Sequence, residues 1–130
     1  MRFPSKEIVE QVRKKYPAGT RVKLVQMDDV QAPPVGTMGT VTAVDDTGSL
    51  IMHWDNGSHL NVVYGEDYVQ KVAVTTICYG SKKEWVSRRE AEEFFLRAIC
   101  GCDPNSSECG RYTKIYTEIM TGCYLCTDGE

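Results

Sequence analysis

Export and membrane signals are the first things this chain lacks. No apolar run in its 130 residues approaches the ~20 needed to span a bilayer. Its first seventeen residues, MRFPSKEIVEQVRKKYP, have no apolar core of a secretory signal. The expectation is the reducing cytoplasm, where disulfides rarely persist, and no membrane partner. Catalytic signatures are missing too. There is no P-loop, no G-x-S-x-G, no H-E-x-x-H and no G-x-G-x-x-G. With only two histidines, His53 and His59, little is left from which to build an acid–base site, and the expectation is that the chain is not an enzyme.

Basic charge is scarce over one long stretch. Residues 26–73 carry one Lys against seven acids, a net of −6, whereas residues 1–25 carry seven Lys/Arg against two Glu, a net of +5. The whole chain stands at −3. A dedicated nucleic-acid binder is usually basic over its whole domain, so nucleic acid is the weaker expectation. The two halves of this charge pattern suit either self-complementation or a two-sided binding surface.

What is present begins with an amphipathic helix. In SKEIVEQVRKKYPAG, Ser5 suits the N-cap, and Ile8, Val9 and Val12 form a stripe, with Tyr16 a turn beyond. Arg13, Lys14 and Lys15 fall in the last turn, where cations suit the helix dipole, and Pro17 ends it. Short alternating runs follow: TRVKLVQM, GTMGTVTAV, SLIMHWD and HLNVVY. Turns are expected at Asp46-Thr47-Gly48 and at Asn56-Gly57, the latter with both residues at positive φ. Four or five such strands predict a small barrel that closes its own edges.

The motifs APPVGTMGTV, VDDTGSL and WDNGS make residues 16–72 resemble an uncharacterised family of small domains from phages and mobile elements of gut Firmicutes. More loosely, the stretch is similar to Src-homology-3-like and KOW-type barrels. The resemblance implies a small β-barrel fold and a bacterial host cytoplasm, and no reaction.

Beyond residue 73 the pattern changes. VTTICYGSKKEWVS predicts a hairpin turning at Gly80-Ser81. Ser87 suits an N-cap for RREAEEFFLRAIC, with Glu90 completing a capping box. DPNSSECG breaks the chain, and RYTKIYTEIMTG predicts a last helix. The fold class expected is therefore α+β: an N-terminal helix and Src-homology-3-like β-barrel over residues 1–73, then a β-hairpin and antiparallel helix pair over 74–130.

Five of six cysteines crowd the last quarter. Cys100, Cys102 and Cys109 lie at facing ends of two helices, and with Asp103, Glu108 or water they predict a structural zinc site. Cys123 and Cys126 form a Cys-x-x-Cys pair. Fourteen residues separate Cys109 from Cys123, about 20 Å if helical, which resists one shared site. Cys78 is the remaining candidate for the second group. The alternative for these thiols is burial as small core residues. His53 and His59 could face each other across the Asn56-Gly57 turn and bind metal.

The function expected from these readings is a zinc-stabilised, non-catalytic protein-binding module. The whole chain is also similar to metal-containing type II anti-CRISPR proteins. That similarity implies an inhibitor from a phage or mobile element whose partner is a host protein, the type II CRISPR nuclease. Such a nuclease holds nucleic acid on a basic surface, which Asp28, Asp29, Asp45, Asp46, Asp55, Glu66 and Asp67 would meet. The alternative is a KOW-type nucleic-acid accessory module using Arg13, Lys14, Lys15, Arg21 and Lys23 on phosphates, with Trp54 or Tyr64 stacking on bases.

Overall fold

The computed structural model describes residues 4–129. The chain is mixed α+β and divides into two compact units, the first ending at Lys71 and the second beginning at Val72.

The first unit starts with α1 (Lys6–Lys15), capped as its sequence demands: Ser5 Oγ accepts from Ile8 N at 3.3 Å. Four strands follow, β1 (Arg21–Gln26), β2 (Met38–Val44), β3 (Leu50–Trp54) and β4 (Tyr68–Lys71). They form one antiparallel sheet in the order β3-β2-β1-β4. Alternation selects the buried face. Val22, Leu24, Val41, Leu50, Met52 and Trp54 are all at most 3% exposed and make the core with Val62. Each such fully buried side chain is worth about 1.5–3 kcal/mol relative to exposure. A bulge between Val41 and Ala43 breaks the alternation, so Ala43 is exposed where strict pairing would bury it.

The expected closed barrel is replaced by an open sheet, because the strand expected at HLNVVY does not form. Only Val62 pairs, through an isolated bridge to Leu50. Side chains take over the ladder's partners. Trp54 Nε1 donates to Leu60 O at 2.8 Å, and Met52 N donates to Asn61 Oδ1 at 3.3 Å. The Asn56-Gly57 turn also departs from expectation. Asn56 Oδ1 accepts from Ser58 N at 3.0 Å, which caps the turn locally, and of the pair only Gly57 adopts positive φ, +91°.

In the second unit, β5 (Val74–Cys78) and β6 (Ser81–Trp85) make the expected hairpin. Its central residues are Tyr79 and Gly80, both at positive φ (51° and 77°), one residue earlier than the sequence suggests. Next come α2 (Arg88–Gly101) and α3 (Ser107–Met120), which pack on each other. Ser87 Oγ accepts from Glu90 N, as expected. Ser106 Oγ accepts from Cys109 N, so α3 begins four residues before the expected start at Arg111. A short strand that periodicity did not reveal, β7 (Leu125–Thr127), then runs parallel to β5 and makes a three-stranded sheet in the order β6-β5-β7. Val74, Trp85, Ala91, Phe95, Ile115, Ile119 and Cys126 form this unit's core. Among the described residues, no helix is long and apolar enough to cross a membrane.

Candidate functional site

The sheet topology sorts the acidic residues. At one end of the four-stranded sheet, β1 finishes, β2 begins and β4 begins, with Gln26 opposite Tyr68. The β1–β2 loop places Asp28 and Asp29 at that end, and the segment entering β4 places Glu66 and Asp67 there. Asp55 follows β3 and lies level with the start of β1, since Trp54 pairs with Gly39 and Gly39 with Val22. Asp45 and Asp46 lie in the β2–β3 turn at the other end.

Several of these carboxylates have structural work. Asp45 Oδ1 accepts from Thr47 N (2.9 Å), Thr47 Oγ1 (2.6 Å) and Ser49 N (3.0 Å). The Thr47 hydroxyl bond is the main reason its carboxyl is held below its ordinary value. Asp46 pairs with Arg13 at 2.9 Å, and Asp55 takes both ends of the Arg21 guanidinium at 2.8 and 2.6 Å. Asp67 Oδ2 accepts from Val63 N at 2.8 Å, and Asp29 Oδ1 accepts from Gln31 N at 2.7 Å. Asp28, Asp29 and Glu66 remain exposed.

Large apolar residues occupy the same loop segments, and Tyr64 packs towards Gly48 of the β2–β3 turn. Val30 and Val35 project from the β1–β2 loop, and Tyr64 and Tyr68 flank Glu66 and Asp67. Beside them is a groove of about 420 Å³, floored by Val12, Leu50, Val62 and Val69 and walled by Tyr16, Tyr64 and Tyr68. The sequence offered these tyrosines as scattered aromatics. The bridge between Leu50 and Val62 aligns the chain before β4 alongside α1 and gathers them.

The basic residues of the alternative reading are differently placed. Arg13 and Arg21 are engaged by Asp46 and Asp55. Trp54 has 0% exposure and no face open to a base. Lys14 is exposed, and Lys15 leans over the Tyr16 ring at 5.4 Å.

The thiols divide by location. Cys102, the C-cap of α2, and Cys109, in the first turn of α3, are in side-chain contact. Burial first, then the Cys109 thiol, pushes the Cys102 thiol above its ordinary value. Cys100 is exposed. At the other end of α3, Cys123 is exposed and Cys126 is fully buried, paired in register with Thr76. Cys78, two residues further along β5, lies beside Asp128. Among the described residues, no three His, Cys, Asp or Glu side chains are grouped so as to hold a metal ion. Two thiols do not by themselves make the four-coordinate set of structural zinc, so the donors as placed do not fit that ion. His53 and His59 do face each other, ring centroids 4.9 Å apart.

Comparison with protein families matches residues 5–72 to the family described as Domain of unknown function (DUF4314). Neither the curated proteins nor the solved structures contain a match to the chain.

Proposed function

Since the chain belongs to the DUF4314 family, whose description carries no activity, we propose from its surface chemistry that it is a non-catalytic protein-binding module. The observation that carries this reading is the grouping of Tyr64 and Tyr68, both about half exposed, with Asp67 around the 420 Å³ groove, which Lys15 also lines and next to which Glu66 is exposed. Exposed aromatics supply the anchoring area of protein interfaces, and carboxylates around them select a basic partner and speed encounter. Asp28 and Asp29 follow Gln26, which pairs with Tyr68, and add exposed acidic charge to the reading.

The partner is a protein whose own surface is basic because it holds nucleic acid. We take the type II CRISPR nuclease as the first such partner to test, on the resemblance drawn from the sequence alone, and the small-barrel kinship belongs to the same proposal. The reading uses no zinc. A nucleic-acid module is the weaker alternative, because Arg13 and Arg21 are committed to Asp46 and Asp55 and Trp54 is enclosed.

The test is DNA cleavage by purified guide-loaded type II CRISPR nucleases with and without the protein, alongside co-elution on size exclusion. Inhibition with co-elution is expected, and a D28K/D29K/E66K variant with unchanged circular dichroism should lose at least about tenfold in potency. Absence of both effects across a panel of nucleases overturns the choice of partner. Equal potency of the charge-reversed variant overturns the choice of surface.

A further inference from the structure

The second unit contains a pocket that the proposed function leaves unused. It measures about 230 Å³ and is walled by Trp85, Phe94, Phe95 and Tyr112, with Cys78 and Lys83 completing it. The rings lean together: Trp85 and Phe94 centroids are 5.4 Å apart at 50°, Phe94 and Phe95 5.1 Å apart edge to face, and Phe95 and Tyr112 6.4 Å apart.

The sequence accounts for this assembly. Consecutive phenylalanines on α2 point differently, so Phe95 enters the core at 2% exposure while Phe94 stays 51% exposed at the pocket's edge. Trp85 closes β6, with its Nε1 committed to Thr76 Oγ1 at 2.9 Å. The indole is thus fixed in place and offers its face rather than its N–H. Lys83 precedes Trp85 by two residues on the same side of the strand. Its ammonium sits 4.0 Å from the Trp85 centroid and 5.5 Å from that of Phe94.

A cation within about 6 Å of an aromatic face is held by the negative charge density of the ring. Here the rings hold it without a carboxylate, since none is among the described residues lining the pocket. Of the titratable groups facing it, burial pushes the Cys78 thiol and the Tyr112 phenol above their ordinary values, so both stay neutral at pH 7. Lys83 is the third, and the only charged side chain among the described residues lining the pocket, with Asp128, Arg111 and Glu108 acting on Cys78 and Tyr112 from outside the lining.

We propose that this pocket is a binding site for a quaternary alkylammonium group, and that Lys83 is a resident surrogate which the ligand displaces. Exchange leaves the charge inside the cage unchanged. The lysine ammonium is compact and strongly hydrated, with three N–H groups that the rings satisfy poorly. A methylated ammonium has no N–H to leave unsatisfied, and its methyl groups pack against the same four rings. Displacement therefore frees the exposed Lys83 side chain and seats a cation that loses less by leaving water.

The experiment is a titration of the ¹⁵N-labelled full chain with tetramethylammonium chloride against sodium chloride at equal ionic strength. It follows the Trp85 Nε1–H and the amides of residues 81–85 and 94–95. A saturable shift confined to these signals is expected. Lys83→Ala removes the competitor and should tighten binding by about tenfold, whereas Phe94→Ala should weaken it by about tenfold. Both side chains are exposed, so neither variant removes core packing. The neutral isostere 3,3-dimethylbutan-1-ol should bind at least about tenfold more weakly than choline. Equal binding of the isostere would make the pocket merely apolar and overturn the proposal. So would the absence of a saturable shift in both the native and Lys83→Ala proteins. Choline and Nε-trimethyllysine, titrated in parallel, separate the two sources of the group: the tighter one identifies the ligand as a choline-type molecule or a methylated side chain.

Discussion

Gly39 lies opposite Trp54 in the β2–β3 ladder, so close that a Cβ on Gly39 would fall 2.5 Å from Trp54 Cε3. The indole fills the space of a missing side chain, and from there its Nε1 reaches Leu60 O. Met52 closes the same site, 3.1 Å from that imagined Cβ. Gly39→Ala forces a buried ring to move and should cost at least about 1–3 kcal/mol, as overpacking does. Urea unfolding followed by tryptophan fluorescence, to which Trp54 and Trp85 both contribute, reads the loss. An unchanged midpoint would mean that the ring has freedom this packing denies it.

That contact also marks how far the sequence could be read. The alternation in TRVKLVQM and GTMGTVTAV marked β1 and β2 as strands, because a half-buried strand imposes period two. The caps at Ser5 and Ser87 were legible because a hydroxyl three residues before a free N–H is a local relationship. The failures that change the topology are non-local. Asn61 and Trp54 satisfy backbone groups from a distance and so replace an expected strand with a loop. The three residues of β7 are too few to show a period, and a long-range partner, β5, creates the strand. The acidic residues were legible as candidates but not as a surface, since only long-range register, such as Gln26 opposite Tyr68, shows which of them are neighbours. The three tyrosines of the groove carry no spacing signal at all.

Arg111 Nη1 donates to Asp128 Oδ2 at 2.9 Å, and the same oxygen accepts from Tyr79 N at 2.7 Å. One carboxylate with 1% side-chain exposure thus ties the chain after β7 to α3 and to the strained hairpin turn at Tyr79. The Arg111 guanidinium also covers the Tyr79 ring, 4.5 Å from its centroid. Asp128→Ala should destabilise the second unit by about 3–5 kcal/mol, the usual result of breaking a buried pair from one side. Hydrogen exchange should show Thr75 N, which donates to Tyr124 O, losing protection early. Retained protection would mean that β7 is held by its ladder alone.

Asp45 gives the first unit a sensitivity to acid. Its folded value lies below the ordinary 3.8, chiefly through the Thr47 hydroxyl. The carboxylate's contribution is therefore fully present above the unfolded value and is lost as pH falls through the folded one. Asp45→Ala should cost about 1–2 kcal/mol at neutral pH and flatten the acid limb of the stability curve below about pH 4. Thermal unfolding of both proteins from pH 3 to 7 measures this. Parallel curves would show that other carboxylates govern the acid limb.

Cys126 contributes to the alkaline limit, and the thiols can be told apart by burial. The side chain has 0% exposure, and its burial pushes the thiol from 9.0 up to about 11. A folded value raised above the unfolded one means the folded state holds its proton longer. Its stabilising contribution is then complete below pH 9 and lost as pH rises towards 11. The same burial denies the thiolate to electrophiles. Iodoacetamide at pH 8 should modify the exposed Cys100 and Cys123 first and Cys126 last, as read by peptide mass mapping. Substituting Cys126 with Val keeps the apolar packing and removes the titrating group, so alkaline unfolding should shift to higher pH. If Cys126 in the folded protein reacted as fast as Cys100, β7 would have to open from β5 on the timescale of alkylation, and the buried register of Thr76 with Cys126 would not describe the chain in solution.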